Sequence, residues 1–366
     1  MQNYTSKKEY PLIDVMKFVA SLLVVAIHVP LFGSSSTFDE CNFYFRQIFT
    51  RVAVPFFFIS SGYFFFRKIK NSNIHNSSNR KMTTGRYVFI YLKKLFRMYL
   101  LWTLVYMFFI VKSILHGRKT VLMTIRDFLF VGSYLHLWYL LALIVAIAIA
   151  SLLIYKKIKT KNILIISFIF YLIGLLGQSY NVIFKLFEKI PYLGIAVSAV
   201  GYYFRAIFYT TRGGLFEGFF FVSLGLVLAE GKVDLSVAKK YIGLIISIVL
   251  YILEVIFVKH FGWGLEEDTY IMLIPVAFFV FYIGITSNVE LKKINCVLLR
   301  KLSTMVFYVH LAVFAIYKDI VAKTGGIFSE TESIYIQVTV ITVIISFLFI
   351  KISENKGFKW LKYFYM

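Results

Sequence analysis

Cysteine is nearly missing from this chain: 366 residues hold only Cys41 and Cys296. Two thiols cannot build a disulfide framework or a thiolate metal centre, and the helix order below puts them on opposite sides of a membrane. Acidic residues are also scarce, 18 Asp and Glu against 40 Lys and Arg, for a net charge of +22. In a soluble protein that balance would point to nucleic acid. Here the basic residues gather in short stretches between apolar runs, as positive cytoplasmic loops do, and no nucleic-acid partner is expected. HExxH, GxSxG and glycine-rich phosphate-loop motifs are absent, so no metal site is expected. A cleavable leader is not expected either, because the first apolar run is too long, Lys17 interrupts it and no small-residue cleavage site follows.

What is present is apolar length. Hydrophobic residues make up 60% of the chain, with 40 Phe and 26 Tyr, against roughly 45–50% in soluble domains. The excess lies in long runs, so the fold class is all-α, a polytopic transmembrane bundle of about ten spans. The runs fall near 12–33, 46–66, 88–111, 135–155, 162–180, 213–230, 241–258, 270–287, 303–322 and 334–351. One membrane domain covers 1–366: a cytoplasmic N-terminus (1–11), the bundle (12–351) and a cytoplasmic tail (352–366). With both termini inside, Lys and Arg concentrate in the inner loops 67–86, 156–161, 231–240 and 287–301. Segment 181–212, with Pro191, Gly194 and Gly201, is expected to be re-entrant or to lie on the outer surface rather than to add a span.

The first run, LIDVMKFVASLLVVAIHVPLF, carries Asp14, Lys17, Ser21 and His28. At about 100° per residue these four share one helix face. Ionisable groups within a span usually face a bundle interior or a watery cavity, so this face either lines a reaction chamber or holds an Asp14–Lys17 pair near the inner surface. Further candidates are Arg51 in the second run, beside Pro55 and Gly62, and Lys93 with Arg97, one turn apart in the third. Lys93, Arg97 and Lys17 together would make a basic mouth for a phosphorylated cytosolic ligand. His136 opens the fourth run. Arg212 and Glu217 flank Gly213 and Gly214 at the outer end of the sixth, and His310 lies about two turns into the ninth. Each has a plain structural explanation as well, an interfacial anchor, a helix-end pair or a satisfied core histidine. His75, His116 and His260 fall in loops and are assigned no role.

Taken in order, D-x2-K-x10-H, VAVPFFFISSGY, YLKKLFRMYLLW, HLWYL, TRGGLFEGFFFVSLG and LSTMVFYVH resemble the acyltransferase-3 family of integral-membrane O-acyltransferases. RVAVPFFFISSGY, HLWY, YLIGLLG and TTRGGLFEGFFF look most like the membrane module of vancomycin-resistance serine racemases. That module is normally followed by a racemase domain, which is not expected within these 366 residues, so racemization is not expected of them. Where the family pattern has Arg eleven residues before the histidine this chain has Lys17, which keeps the charge and loses the bidentate fork.

The resemblance implies a cytosolic acyl-coenzyme A donor, acetyl-coenzyme A in the simplest case, and a hydroxyl acceptor in the envelope such as a glycan. On that reading His28 is the base, Lys17, Lys93 and Arg97 lie on the donor side, and Arg51, His136, Arg212 and Glu217 on the oxyanion or acceptor side, with Asp14 and His310 in support. The rise from Lys17 to His28 is about 16 Å, close to an extended pantetheine arm. The alternatives are a permease for serine or another small molecule, and a membrane module that binds or senses without chemistry.

Overall fold

The computed structural model describes residues 10–32, 38–74, 84–323 and 333–366. Residues 1–9, His75 and parts of the 36–43, 67–86 and 323–333 loops lie outside the described residues. The described residues contain no strand. The α-helices run in the order α1 (Pro11–His28), α2 (Asp39–Phe45), α3 (Ala53–Ile74), α4 (Thr84–Leu115), α5 (Val121–Arg126), α6 (Trp138–Tyr155), α7 (Thr160–Leu176), α8 (Asn181–Glu188), α9 (Leu193–Phe208), α10 (Phe219–Ala229), α11 (Val237–His260), α12 (Leu273–Thr286), α13 (Cys296–Lys323) and α14 (Ile334–Glu354). Three π-helical turns, Arg46–Thr50, Asp127–Val131 and Gly214–Gly218, interrupt or extend them.

The helices of an all-α membrane bundle are therefore present, but they are less uniform than ten equal spans. Among the described residues, seven runs are long and apolar enough to cross a bilayer: α1, Asp39–Asn71, α4, α6, α11, α13 and α14. Helix α7 joins α8 through a 75° bend, while Gly214–Ala229 and α12 are shorter apolar helices. The short α10 is buried on nearly every side, and a helix surrounded by protein need not match the bilayer in length.

Ion pairs and hydrogen bonds show which helix ends meet. At one end Asp14 meets Arg300, Lys301 meets Glu354 and Lys70 reaches the Glu230 carbonyl. At the other, Arg51 and Arg212 meet Asp268, and Lys259 meets Glu40. These are called below the Arg300 end and the His28 end.

Segment 181–212 adds no long span. After the bend, α8 and α9 form a helical hairpin at the His28 end, with left-handed Tyr192 and Tyr209 (both φ 63°) flanking α9. Arg126 donates to the Ala206 carbonyl there at 3.3 Å. The C-terminal tail is docked rather than loose: its 3₁₀ helix Lys356–Phe364 packs on α4 and α14, Trp102 Nε1 donates to the Phe364 carbonyl (2.9 Å), and Ser353 and Tyr365 share a hydrogen bond (2.7 Å).

The centre of the bundle is the α3–α10 crossing. A Cβ on Gly62 would sit 2.5 Å from the Val222 carbonyl oxygen, and one on Gly225 would sit 2.4 Å from that of Ile59. Backbone therefore lies on backbone, the small-residue packing that membrane helices use where lipid offers no hydrophobic drive. Glycine is required at both positions. Gly62→Leu is expected to destabilise the protein by at least the 1–3 kcal/mol typical of overpacking, read as a lower melting temperature in detergent. Gly85→Ala, where nothing lies within 4 Å of the added Cβ, is the neutral control.

Candidate active site

Helix α1 starts with Pro11 at its first turn, where a missing N–H costs nothing, and ends at His28. That register carries the imidazole to the far end of the bundle from Asp14. The His28 ring lies 5.5 Å, centroid to centroid, from that of His310 on α13, which lies 5.2 Å from that of His136. His136 is placed by the turn before α6. Gly132 permits that turn, with φ at 121° and Trp138 backbone 2.5 Å from where a Cβ would be. Three histidines far apart in sequence thus share one cluster.

The His310 tautomer follows from its surroundings. Nδ1 lies 3.1 Å from the Val306 carbonyl oxygen; a carbonyl only accepts, so Nδ1 carries the proton and Nε2 carries the lone pair. Nε2 is buried without a protein partner. Beside it the α13 ladder is opened by Tyr106, whose hydroxyl donates to the Tyr308 carbonyl (2.6 Å) and accepts from the Ala312 N–H (3.1 Å). A side chain inserted this way bends a helix locally.

Two of the π turns deliver charge to the same place. Arg51 follows Arg46–Thr50, its Nε donating to Gln47 Oε1 (2.7 Å) and its Nη2 pairing with Asp268. Gly214–Gly218 carries Glu217, whose Oε2 is buried without a protein partner. Widened turns of this kind are frequent at functional sites. Arg212 pairs through Nη1 with the other Asp268 oxygen and stacks over Trp138, 4.6 Å from the ring centroid, while its Nε stays unpartnered. Around a cavity of about 40 Å³ stand His28, Arg51, His136, Arg212, Glu217 and Asp268. That is room for roughly one to three water molecules.

Asp268 is held by neighbouring loops. Gln178 Nε2 donates to Glu266 and Thr210, and its Oε1 accepts from the Asp268 N–H (3.4 Å). Glu254 accepts from Tyr180 and from the N–H groups of Ile271 and Met272 (2.7 Å each), fixing the start of α12.

The structure thus gathers five nominated residues, His28, Arg51, His136, Arg212 and Glu217, around one cavity, with His310 against the two histidines. The donor-side candidates are not gathered with them. Lys17 does not line the cavity; its ammonium sits 4.7 Å from the Phe64 ring centroid. Asp14 does not pair with Lys17 but receives a bidentate contact from Arg300 (2.8 and 2.6 Å). Lys93 is exposed, Arg97 lies 4.3 Å over Tyr363 of the docked tail, and no described contact joins either to Lys17. Sequence reasoning missed Asp268, Arg300 and Gln178. The sequence signal for Asp268 was three successive acids, Glu266 to Asp268, in a chain poor in acids.

Fold and site define a multi-pass membrane protein with a small polar chamber at one end of its bundle. The acyltransferase-3 family profile, an acyltransferase domain, matches residues 10–351, and the chain belongs to that family. It is 32% identical over 76% of its length to an amino-acid racemase of Enterococcus faecalis, covering 36% of that protein. It is 30% identical over 74% of its length to a serine/alanine racemase of Enterococcus gallinarum, again covering 36%. The chain therefore spans little more than a third of the length of these relatives. No solved structure matches it.

Burial opposes ionisation of Asp268, but Arg51 and Arg212 outweigh it and hold the carboxyl below its usual range. A carboxyl that titrates lower when folded adds stability above the ordinary carboxylate range, and that stability is lost as pH falls through the range toward the folded value. Asp268→Asn leaves two guanidinium groups uncompensated and is expected to cost about 3–5 kcal/mol near pH 7. Melting temperatures in detergent from pH 7 to pH 3 should then fall less steeply for the variant than for the parent.

Proposed function

We propose that this chain is a membrane O-acyltransferase that moves an acyl group, acetyl in the simplest case, from cytosolic acyl-coenzyme A to a hydroxyl of an extracytoplasmic envelope acceptor such as a glycan. On this reading it sits in the cell membrane with both termini cytoplasmic, and the His28 end faces outward. Membership of an acyltransferase family supports group transfer. The observation that carries the finer reading is the pairing, on one cavity, of an imidazole with an unspent guanidinium N–H, His28 with Arg212 Nε.

The acceptor hydroxyl gives its proton to the His28 imidazole as its oxygen attacks the thioester carbonyl carbon. The carbonyl π electrons move onto oxygen, and Arg212 Nε–H donates to the resulting oxyanion. Collapse of the tetrahedral intermediate re-forms the carbonyl and expels the coenzyme A thiolate, which takes the proton back from the imidazolium. Arg51 and Arg212 stay aimed because Asp268 holds one nitrogen of each. Lys17, about 16 Å of helix rise away, would hold donor phosphates at the cytoplasmic end. His136 and Glu217 would face the acceptor.

The test is transfer from labelled acetyl-coenzyme A by purified protein in proteoliposomes. His28→Ala is expected to lower the rate by about 10²-fold or more, and Lys17→Gln to raise the donor KM more than it lowers kcat. Donor turnover indifferent to His28→Ala would overturn the assignment. Uptake of labelled serine with no donor present, and no transfer, would replace it with a permease.

A further inference from the structure

A second cavity, of about 920 Å³, lies between α5 and the α8–α9 hairpin at the His28 end, apart from the histidine cluster. Its floor and walls are largely apolar: Leu122, Phe130, Phe184 and Ile207 line it. Leu122 is 76% exposed and Tyr202, also on the lining, is 71% exposed. Such a groove left to water would be costly.

Its polar component is cationic. Lys185 of α8 and Arg205 of α9 stand on the lining, and neither makes an ion pair among the described residues. Arg126, also on the lining, is already spent on Asp127 and on the Ala206 carbonyl. The one lining carboxylate, Glu188, accepts from Ser198 at 3.1 Å within the hairpin.

Charge placement along the chain points the same way. At this end, segment 259–269 is acidic, with Glu266, Glu267 and Asp268. Five basic residues at this end, Lys119, Arg126, Lys185, Lys189 and Arg205, fall in two segments far apart in sequence, 112–134 and 181–212, and of these Lys119 and Arg126 pair with Asp127. The fold brings those two segments together on either side of this groove. Exposed tyrosines of the hairpin, Tyr192, Tyr203 and Tyr209, have the amphipathic character of side chains that settle at headgroup depth.

We propose that this groove binds an acidic phospholipid of the surrounding bilayer, with the headgroup phosphate between Lys185 and Arg205 and the acyl chains along the exposed apolar residues of α5 and α9. Two unspent cations beside an apolar trough match an anionic amphiphile, and neither a free anion nor a neutral lipid satisfies both halves. The bound lipid would brace the hairpin, whose C-terminal end leads through Tyr209 and Thr210 to Arg212.

Delipidated full-length protein in neutral detergent is titrated with phosphatidylglycerol, phosphatidylcholine or inorganic phosphate, with the melting temperature and the lipid retained in native mass spectrometry as readouts. Phosphatidylglycerol is expected to raise the melting temperature and to be retained at least ten-fold better than phosphatidylcholine. Lys185→Gln with Arg205→Gln should remove that preference, and Lys156→Gln with Lys159→Gln, exposed at the Arg300 end, should keep it. Both pairs replace exposed side chains, so a monodisperse, folded product is expected from each. An equal response to the two lipids, the same response from inorganic phosphate, or loss of preference in the Lys156/Lys159 variant would each overturn the site.

Discussion

One carboxylate shared by two guanidinium groups ties this bundle together where its helices are least regular. Asp268 lies ahead of α12, Arg51 at the entrance to α3 and Arg212 ahead of α10, and each oxygen of the carboxylate takes one arginine. Charges removed from water are costly unless paired, and breaking such a pair costs more than the pair contributes. The three segments are therefore obliged to stay together. Two π turns persist beside the bridge because releasing either would move an arginine or Glu217 away from its neighbours. Gln178 and Glu254 extend the constraint outward by fixing the loop that carries Asp268. The cavity exists because charged side chains, unlike packed leucines, cannot close over it.

The apolar runs made the helices legible, since a run of about twenty such residues has few other fates. What could not be read was which helices would be enclosed by protein. α10 and α12 are short because neighbours rather than lipid surround most of α10 and one side of α12, and apolar content does not distinguish a leucine facing lipid from one facing protein. Pro191 and Gly194 foreshadowed the turn between α8 and α9 only as irregularity, and the bend between α7 and α8 lies ahead of both, between Leu176 and Asn181. At the site, a face of polar residues on α1 and a lone histidine or arginine inside an apolar run stood out against their surroundings, which is why His28, Arg51 and His136 were identifiable. Asp268 did not stand out, because an acidic loop looks the same whether it meets water or two arginines. Arg300 was masked in the same way by the basic character expected of an inner loop.

The contact between Asp14 and Arg300 changes what Lys17 is free to do. In sequence, Asp14 is the natural partner for a lysine one turn on. In the fold its carboxylate is filled by a bidentate arginine from α13, and the Ser303 hydroxyl donates to the Lys17 carbonyl (2.8 Å), so two contacts lash the start of α1 to α13. Asp14 is thereby a tie between helices, and the Lys17 ammonium is left against the face of Phe64. A cation held by a ring rather than by a carboxylate keeps its charge available to an anion, and on the proposed reaction that anion is the donor phosphate.

The same packing limits how a donor could reach His28. The cavity extends along α1 to Val24 and holds about 40 Å³, far less than a thioester and its arm occupy. Between Val24 and Lys17 lie roughly two helical turns, and the Ser21 hydroxyl there is buried and spent on the Phe18 carbonyl (2.6 Å). On the proposed reaction, α1 must part from a neighbour to admit the arm. The α3–α10 crossing cannot supply the space, since its contacts are backbone against backbone at Gly62 and Gly225 and have no side chain to rotate. Between α1 and α13 the polar ties found among the described residues, Arg300 to Asp14 and Ser303 to the Lys17 carbonyl, lie at the Arg300 end. On the proposed reaction the parting would fall on the His28 side of this α1–α13 seam, which leaves the Asp268 bridge in place.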